Sequence, residues 1–144
     1  MISTALLGPV VALVAWSIVI LFVLGFIRFG AIKRAGIKVD PSRGGRGQDL
    51  EGVLDPKANW PAHNYAHLME QPTLFYAIVL TLAIMGFDHH FNVLLAWAYV
   101  AIRIVHSIVQ LTVNDLRIRF PLFVLSTLCL AALTLHAGIA LLHG

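Results

Sequence analysis

The stretch Ile2-Ser3-Thr4-Ala5-Leu6-Leu7-Gly8-Pro9-Val10-Val11-Ala12-Leu13-Val14-Ala15-Trp16-Ser17-Ile18-Val19-Ile20-Leu21-Phe22-Val23-Leu24-Gly25-Phe26-Ile27 carries no charged residue, and Arg28 ends it. A helix needs ~20 such residues to cross ~30 Å of hydrocarbon. The segment is too long for a signal-peptide core and has no basic residue ahead of it, so it reads as a retained span. Phe120 to Leu142 is a second uncharged stretch of spanning length. Gln71 to Phe87 is uncharged but short, so its helix is expected to begin before Glu70 and after Pro61, a residue suited to a first helical turn. Phe91 to Val113 is long enough, with Arg103 inside it. The reading is an all-α, four-helix transmembrane up-down bundle in one domain, residues 1–144. Its spans fall at about 3–27, 62–87, 91–114 and 120–142, with a basic loop at 28–60.

Composition agrees. Of 144 residues, 59% are hydrophobic and only 12% are charged, about half the usual share of charge in a soluble protein. Mean hydropathy is +0.85. A water-soluble domain of this size could not bury that much apolar surface, which excludes a soluble enzyme, a disordered tail and a nucleic-acid binder. The single cysteine, Cys129, excludes a disulfide framework.

The cations set the expected direction. Arg28, Lys33, Arg34, Lys38, Arg43, Arg46 and Lys57 lie between spans one and two, and Arg117 and Arg119 between spans three and four. The turn Gly86–Asn92 and both tails hold no Lys or Arg. Both termini are therefore expected on the non-cytoplasmic side. The first loop contains Ser42-Arg43-Gly44-Gly45-Arg46-Gly47, which is not a phosphate-binding loop because no Gly-Lys-Ser/Thr follows. It reads either as a solvated connection or as a basic lid that recruits anions.

Ionisable groups inside a span are costly and face a bundle interior or a cavity. His63, Asn64, His67, Glu70 and Gln71 share one expected helical stripe. Arg103, His106, Gln110, Asn114 and Arg117, stepped by three or four residues, form another. Two such stripes on antiparallel neighbours predict a wet cleft open to the cytoplasm. At ~1.5 Å per residue, Arg103 lies ~18 Å from the far-side turn and Glu70 ~24 Å. The ~6 Å offset is within an arginine's reach, so Glu70 and Arg103 can pair or share a ligand. A buried pair that only fixes helix register is the alternative. His63-x-x-x-His67-x-x-Glu70 has metal-ligand spacing, but one such box falls short of the several that membrane di-iron oxygenases use.

Three segments together resemble the MAPEG family, the membrane-associated proteins of eicosanoid and glutathione metabolism. They are Asn64-Tyr65-Ala66-His67-Leu68-Met69-Glu70-Gln71-Pro72-Thr73-Leu74-Phe75-Tyr76, Tyr99-x-x-x-Arg103-x-x-His106-Ser107, and Asn114-x-x-Arg117-x-Arg119-Phe120. The likeness covers nearly the whole chain and looks most like a bacterial branch, which implies a bacterial inner-membrane location. It implies a homotrimer holding glutathione between subunits near the cytoplasmic face, and a lipophilic small molecule or membrane lipid as further partner. By the resemblance, Lys33 and Arg34 correspond to glutathione-binding cations, and Glu70 to the second-helix glutamate. His67 falls where the family has asparagine. Arg103 and His106 match contacts on the third helix, and Gln110 falls on a family tyrosine. The arginine linked to thiolate activation matches Arg117 in one branch and Arg119 in another. The Arg103–Gln110 stripe favours Arg117. His63 and Ala66 stand where the human enzymes carry arginines. The implied activity is a glutathione-dependent transferase or peroxidase acting on lipophilic electrophiles; the competing expectation is a non-catalytic member that binds a lipid or another thiol.

Overall fold

The computed structural model describes residues 1–143, and among them all regular structure is helical. Five α-helices follow in order: α1 Leu7–Ala35, α2 Pro56–Met69, α3 Gln71–Ile84, α4 His90–Thr112 and α5 Leu116–His143. With α2 and α3 taken as one broken rod, four helices are long and apolar enough to cross a membrane. The chain is a multi-pass membrane protein.

The first helix continues eight residues past Ile27, beyond the expected boundary, because nothing in Arg28–Ala35 breaks it. Lys33 and Arg34 sit in its last turn, where cations oppose the exposed carbonyls. Gly36 then takes φ 65° and donates its N–H to the end of the helix, a left-handed cap that glycine adopts without strain. At the other end of the loop Asp55 caps α2 by accepting from the Lys57 N–H at 2.9 Å, and Pro56 occupies the first turn. Helix α2 thus begins six residues before the expected 62, and Pro61 lies inside it rather than at its start. The connection shrinks to residues 36–55.

That connection is anchored to the bundle. His63 Nε2 lies 2.6 Å from Glu51 Oε1, Asn59 Nδ2 donates to the Leu50 carbonyl at 3.4 Å, and Leu54 is buried. Near its start the Ser42 hydroxyl and N–H both bond Asp40, which holds that carboxyl below its ordinary pKa.

The core is an apolar seam of Leu13, Ile20, Leu68, Phe75, Val79, Leu82, Tyr99 and Leu133, drawn from all five helices. Phe75 and Tyr99 stack with ring centroids 4.3 Å apart. By contrast Phe22, Phe26 and Phe29 on α1, and Leu128, Leu135 and Leu142 on α5, are exposed. Such continuous apolar faces require hydrocarbon or another protein surface around them.

The rod breaks at Glu70, whose φ −87° and ψ −98° belong to neither helix. Pro72 is the physical cause: it lacks the N–H that would bond the Leu68 carbonyl, and its ring crowds that carbonyl. The break frees main-chain acceptors deep in the bundle, and it positions the site.

Candidate functional site

Arg103 is the largest side chain among those fully buried, with 1% of its surface exposed. Its Nη2 donates at 3.1 Å to the His67 carbonyl, which also accepts from the Glu70 N–H at the break. Arg103 Nε and Nη1 are buried with no hydrogen-bond partner among the described residues. A buried donor left unpaired costs ~1–3 kcal/mol, and more on a charged group. Two such donors on one buried cation are an unmet demand for acceptors.

Around this guanidinium the sequence-predicted residues divide into three sets. The first is the cluster itself. His67 Nδ1 lies 3.3 Å from Glu70 Oε2, and His67 Nε2 lies 3.4 Å from Arg119 Nη2. The His106 ring meets the His67 ring edge-on, with centroids 6.0 Å apart. Arg119 Nη1 donates to Asn114 Oδ1 at 2.7 Å, while its Nε is buried without a partner among the described residues. His67 and Glu70 retain 37% and 67% side-chain exposure, so the cluster is open on their side.

The second set is interior. Gln110 is buried, and its Oε1 accepts from Asn64 Nδ2 at 3.2 Å. Asn64 also bonds Ser107 twice, at its carbonyl and at its hydroxyl. These groups satisfy one another across the α2–α4 contact. The expected wet cleft is therefore closed along this stretch by side-chain hydrogen bonds, and Gln110 fixes helix register there.

The third set lies apart. Lys33 and Arg34 are exposed at the end of α1 and divide between two grooves. Arg34 shares one of about 660 Å³ with Lys57 and Trp60, while Lys33 borders an apolar groove with Phe22, Phe26 and Phe29. Neither joins the Arg103 cluster within one protomer. His63 turns to Glu51, so His63, His67 and Glu70 do not converge as the metal-like spacing would require.

Two expectations are corrected by this geometry. Glu70 does not pair with Arg103: its carboxylate turns to His67 because the helix break swings it off the stripe. Arg117 does not continue the Arg103–His106–Gln110 stripe. Helix α4 ends at Thr112, Asn114 takes φ 53°, and α5 restarts on Asp115, whose carboxylate accepts from the Arg117 N–H at 2.8 Å. That reset carries Arg119 inward and leaves the Arg117 side chain 94% exposed.

Sequence reasoning missed the support beneath the cluster. Gln71 joins three helices: its Oε1 accepts from Tyr99 Oη at 3.0 Å and Ser126 Oγ at 3.4 Å, and its Nε2 donates to Thr127 Oγ1 at 2.8 Å. The available signal was a glutamine beside Glu70 matched by a Ser-Thr pair on an otherwise apolar span.

Compared with known protein families, residues 6–139 match the MAPEG family. The chain belongs to the MAPEG family. No curated protein and no solved structure gave a match. In this MAPEG protein the Glu70, Arg103 and Arg119 segments quoted above all fall inside the matched region.

Proposed function

We propose that this MAPEG protein is a glutathione-dependent transferase or peroxidase acting on lipophilic electrophiles, working as a homotrimer with the basic loop on the cytoplasmic side. The observation that carries the reading is the pair of inward guanidinium groups, Arg103 and Arg119, with three buried donors that have no partner among the described residues. Glutathione offers two carboxylates, one ammonium and one thiol. Arg103 suits a carboxylate, since a guanidinium presents a fork of donors matched to that group. The exposed Glu70 suits the ammonium. Lys33 and Arg34 would serve only if a neighbouring subunit brings them to the cluster. The exposed apolar faces of α1 and α5 suit a chain set in a bilayer, where a lipophilic electrophile would dissolve.

The thiolate role goes to Arg119. A thiol is a weak nucleophile until it ionises, with an ordinary pKa near ~8.5. A fixed guanidinium favours the thiolate and cannot itself deprotonate. Arg119 stands at the cluster with one buried donor unengaged, whereas Arg117 points into solvent.

Turnover of a chlorodinitrobenzene-type electrophile tests the assignment. Arg119→Leu should lower turnover at neutral pH by ~100-fold, the scale of losing one electrostatic donor at a reacting anion. Arg117→Leu should leave it within about twofold, as surface changes usually do. The reverse pattern moves the role to Arg117. Wild-type protein that binds glutathione without turning over any electrophile supports the non-catalytic alternative.

A further inference from the structure

We infer that His67, held between Glu70 and Arg119, is the group that takes the proton from the thiol. The inference rests on the glutathione reading above and adds a residue role to it. Its basis is the hydrogen-bond logic of one imidazole. An arginine nitrogen only donates, so the Arg119 Nη2 contact at 3.4 Å requires His67 Nε2 to be the acceptor. In a neutral imidazole the other nitrogen then carries the hydrogen, and Nδ1–H faces Glu70 Oε2 at 3.3 Å. The lone pair of Nε2 is thereby aimed at the guanidinium that would hold the sulfur. A thiol brought beside Arg119 displaces the arginine N–H from the lone pair and presents its S–H to Nε2, while the freed arginine donor turns to the sulfur.

Every charge facing His67 can be assigned a sign. Arg103 on α4 and Arg119 on α5 oppose a proton on the ring, Glu70 favours it, and the His106 ring meets it edge-on. His67 also lies in the last turn of α2, where the helix carbonyls favour a cation. Proton transfer adds a second compensation, because the thiolate formed beside Arg119 cancels that arginine's charge. The S–H bond breaks, its proton goes to His67 Nε2, and its electron pair stays on sulfur. The thiolate then forms a carbon–sulfur bond with the electrophile, and the electron pair of the broken bond departs with the leaving group. His67 returns its proton to water through its exposed side. Glu70 acts here as a positioning residue, fixing the tautomer and balancing the imidazolium.

The experiment is a pH–rate profile of detergent-purified protein with glutathione and chlorodinitrobenzene. Wild type, His67→Gln, His67→Asn and Glu70→Gln are compared, each titrated with glutathione by calorimetry. Either His67 variant should bind glutathione within about threefold of wild type, because both keep a carbonyl for Arg119 and cannot accept the proton. Their turnover at pH 7 should fall ~100-fold, the scale of losing a general base, and climb towards wild type above pH ~9 as the thiol ionises unaided. The ultraviolet absorbance of bound thiolate at pH 7 should vanish in parallel. Glu70→Gln should weaken glutathione binding, because the ammonium loses its carboxylate, and at saturating glutathione should show a smaller shift of the same limb in the same direction. An unchanged profile in both His67 variants, or a loss equal at every pH, would overturn the inference while leaving the glutathione reading intact. Wild-type protein that binds no glutathione would overturn both.

Discussion

At Arg103 one guanidinium nitrogen bonds a main-chain carbonyl and two face no acceptor among the described residues. If that arginine served stability, its removal would be severe. If it serves a ligand, an apolar side chain of similar length should be tolerated, since buried charges are often replaced without loss when the whole group is removed. Arg103→Met is therefore expected to hold thermal unfolding within ~1 kcal/mol of wild type and to abolish glutathione binding. A large fall in the melting temperature would make the residue structural. Gln71 should behave oppositely. Changing it to Leu strands the buried Tyr99 hydroxyl, at a cost of ~1–3 kcal/mol. Ser126 and Thr127 keep their bonds to the Phe123 carbonyl. Adding Tyr99→Phe should recover most of that loss, and strict additivity in denaturant titrations would show the two are not coupled. Arg103 and His106 were legible as buried because they lie on one continuous helix, where spacing maps to a face. The inward turn of half-buried Arg119 was not, because the facing of its side chain depends on a left-handed Asn114 and a fresh helix start, and a periodicity count assumes neither.

The break between α2 and α3 is the element on which the site depends. Charge-free runs pointed to four helices of spanning length, since hydropathy reports burial in lipid directly. They could not show that Pro72 would split the second span at Glu70, or that the released His67 carbonyl would be met by Arg103 from α4. Pro61 likewise points to a helix start and a loop ending near Trp60; Asp55 and Pro56 supply that signal five residues earlier. Pro72→Ala gives a test at this scale. Alanine restores a main-chain donor for Leu68 and favours a continuous helix. Thermal stability should stay level or rise, while glutathione affinity falls at least ~10-fold, about 1.4 kcal/mol, as Glu70, the partner for the ammonium, rotates out of the cluster. Unchanged affinity would show that the break does not set the site.

The molecule as a whole is a thin bundle whose outer α1 and α5 faces stay apolar and uncovered within one protomer. The membrane setting was readable from composition, and the number of spanning-length helices from where the uncharged runs fall. The direction of insertion and the number of subunits are properties of the assembled membrane protein, and each has its own test. Reporters placed after Asp88 and at Gly144 should report the non-cytoplasmic side, and one after Gly47 the cytoplasm, following the bias of Lys and Arg. Cross-linking in native membranes should stop at three copies. Ligand binding at the Arg103 cluster is read by calorimetric titration of the intact detergent-purified protein with glutathione. Wild type should bind saturably and Arg103→Met should not, with both proteins equally folded. Absence of binding by wild type at millimolar thiol, or full binding by folded Arg103→Met, would contradict a glutathione site at Arg103.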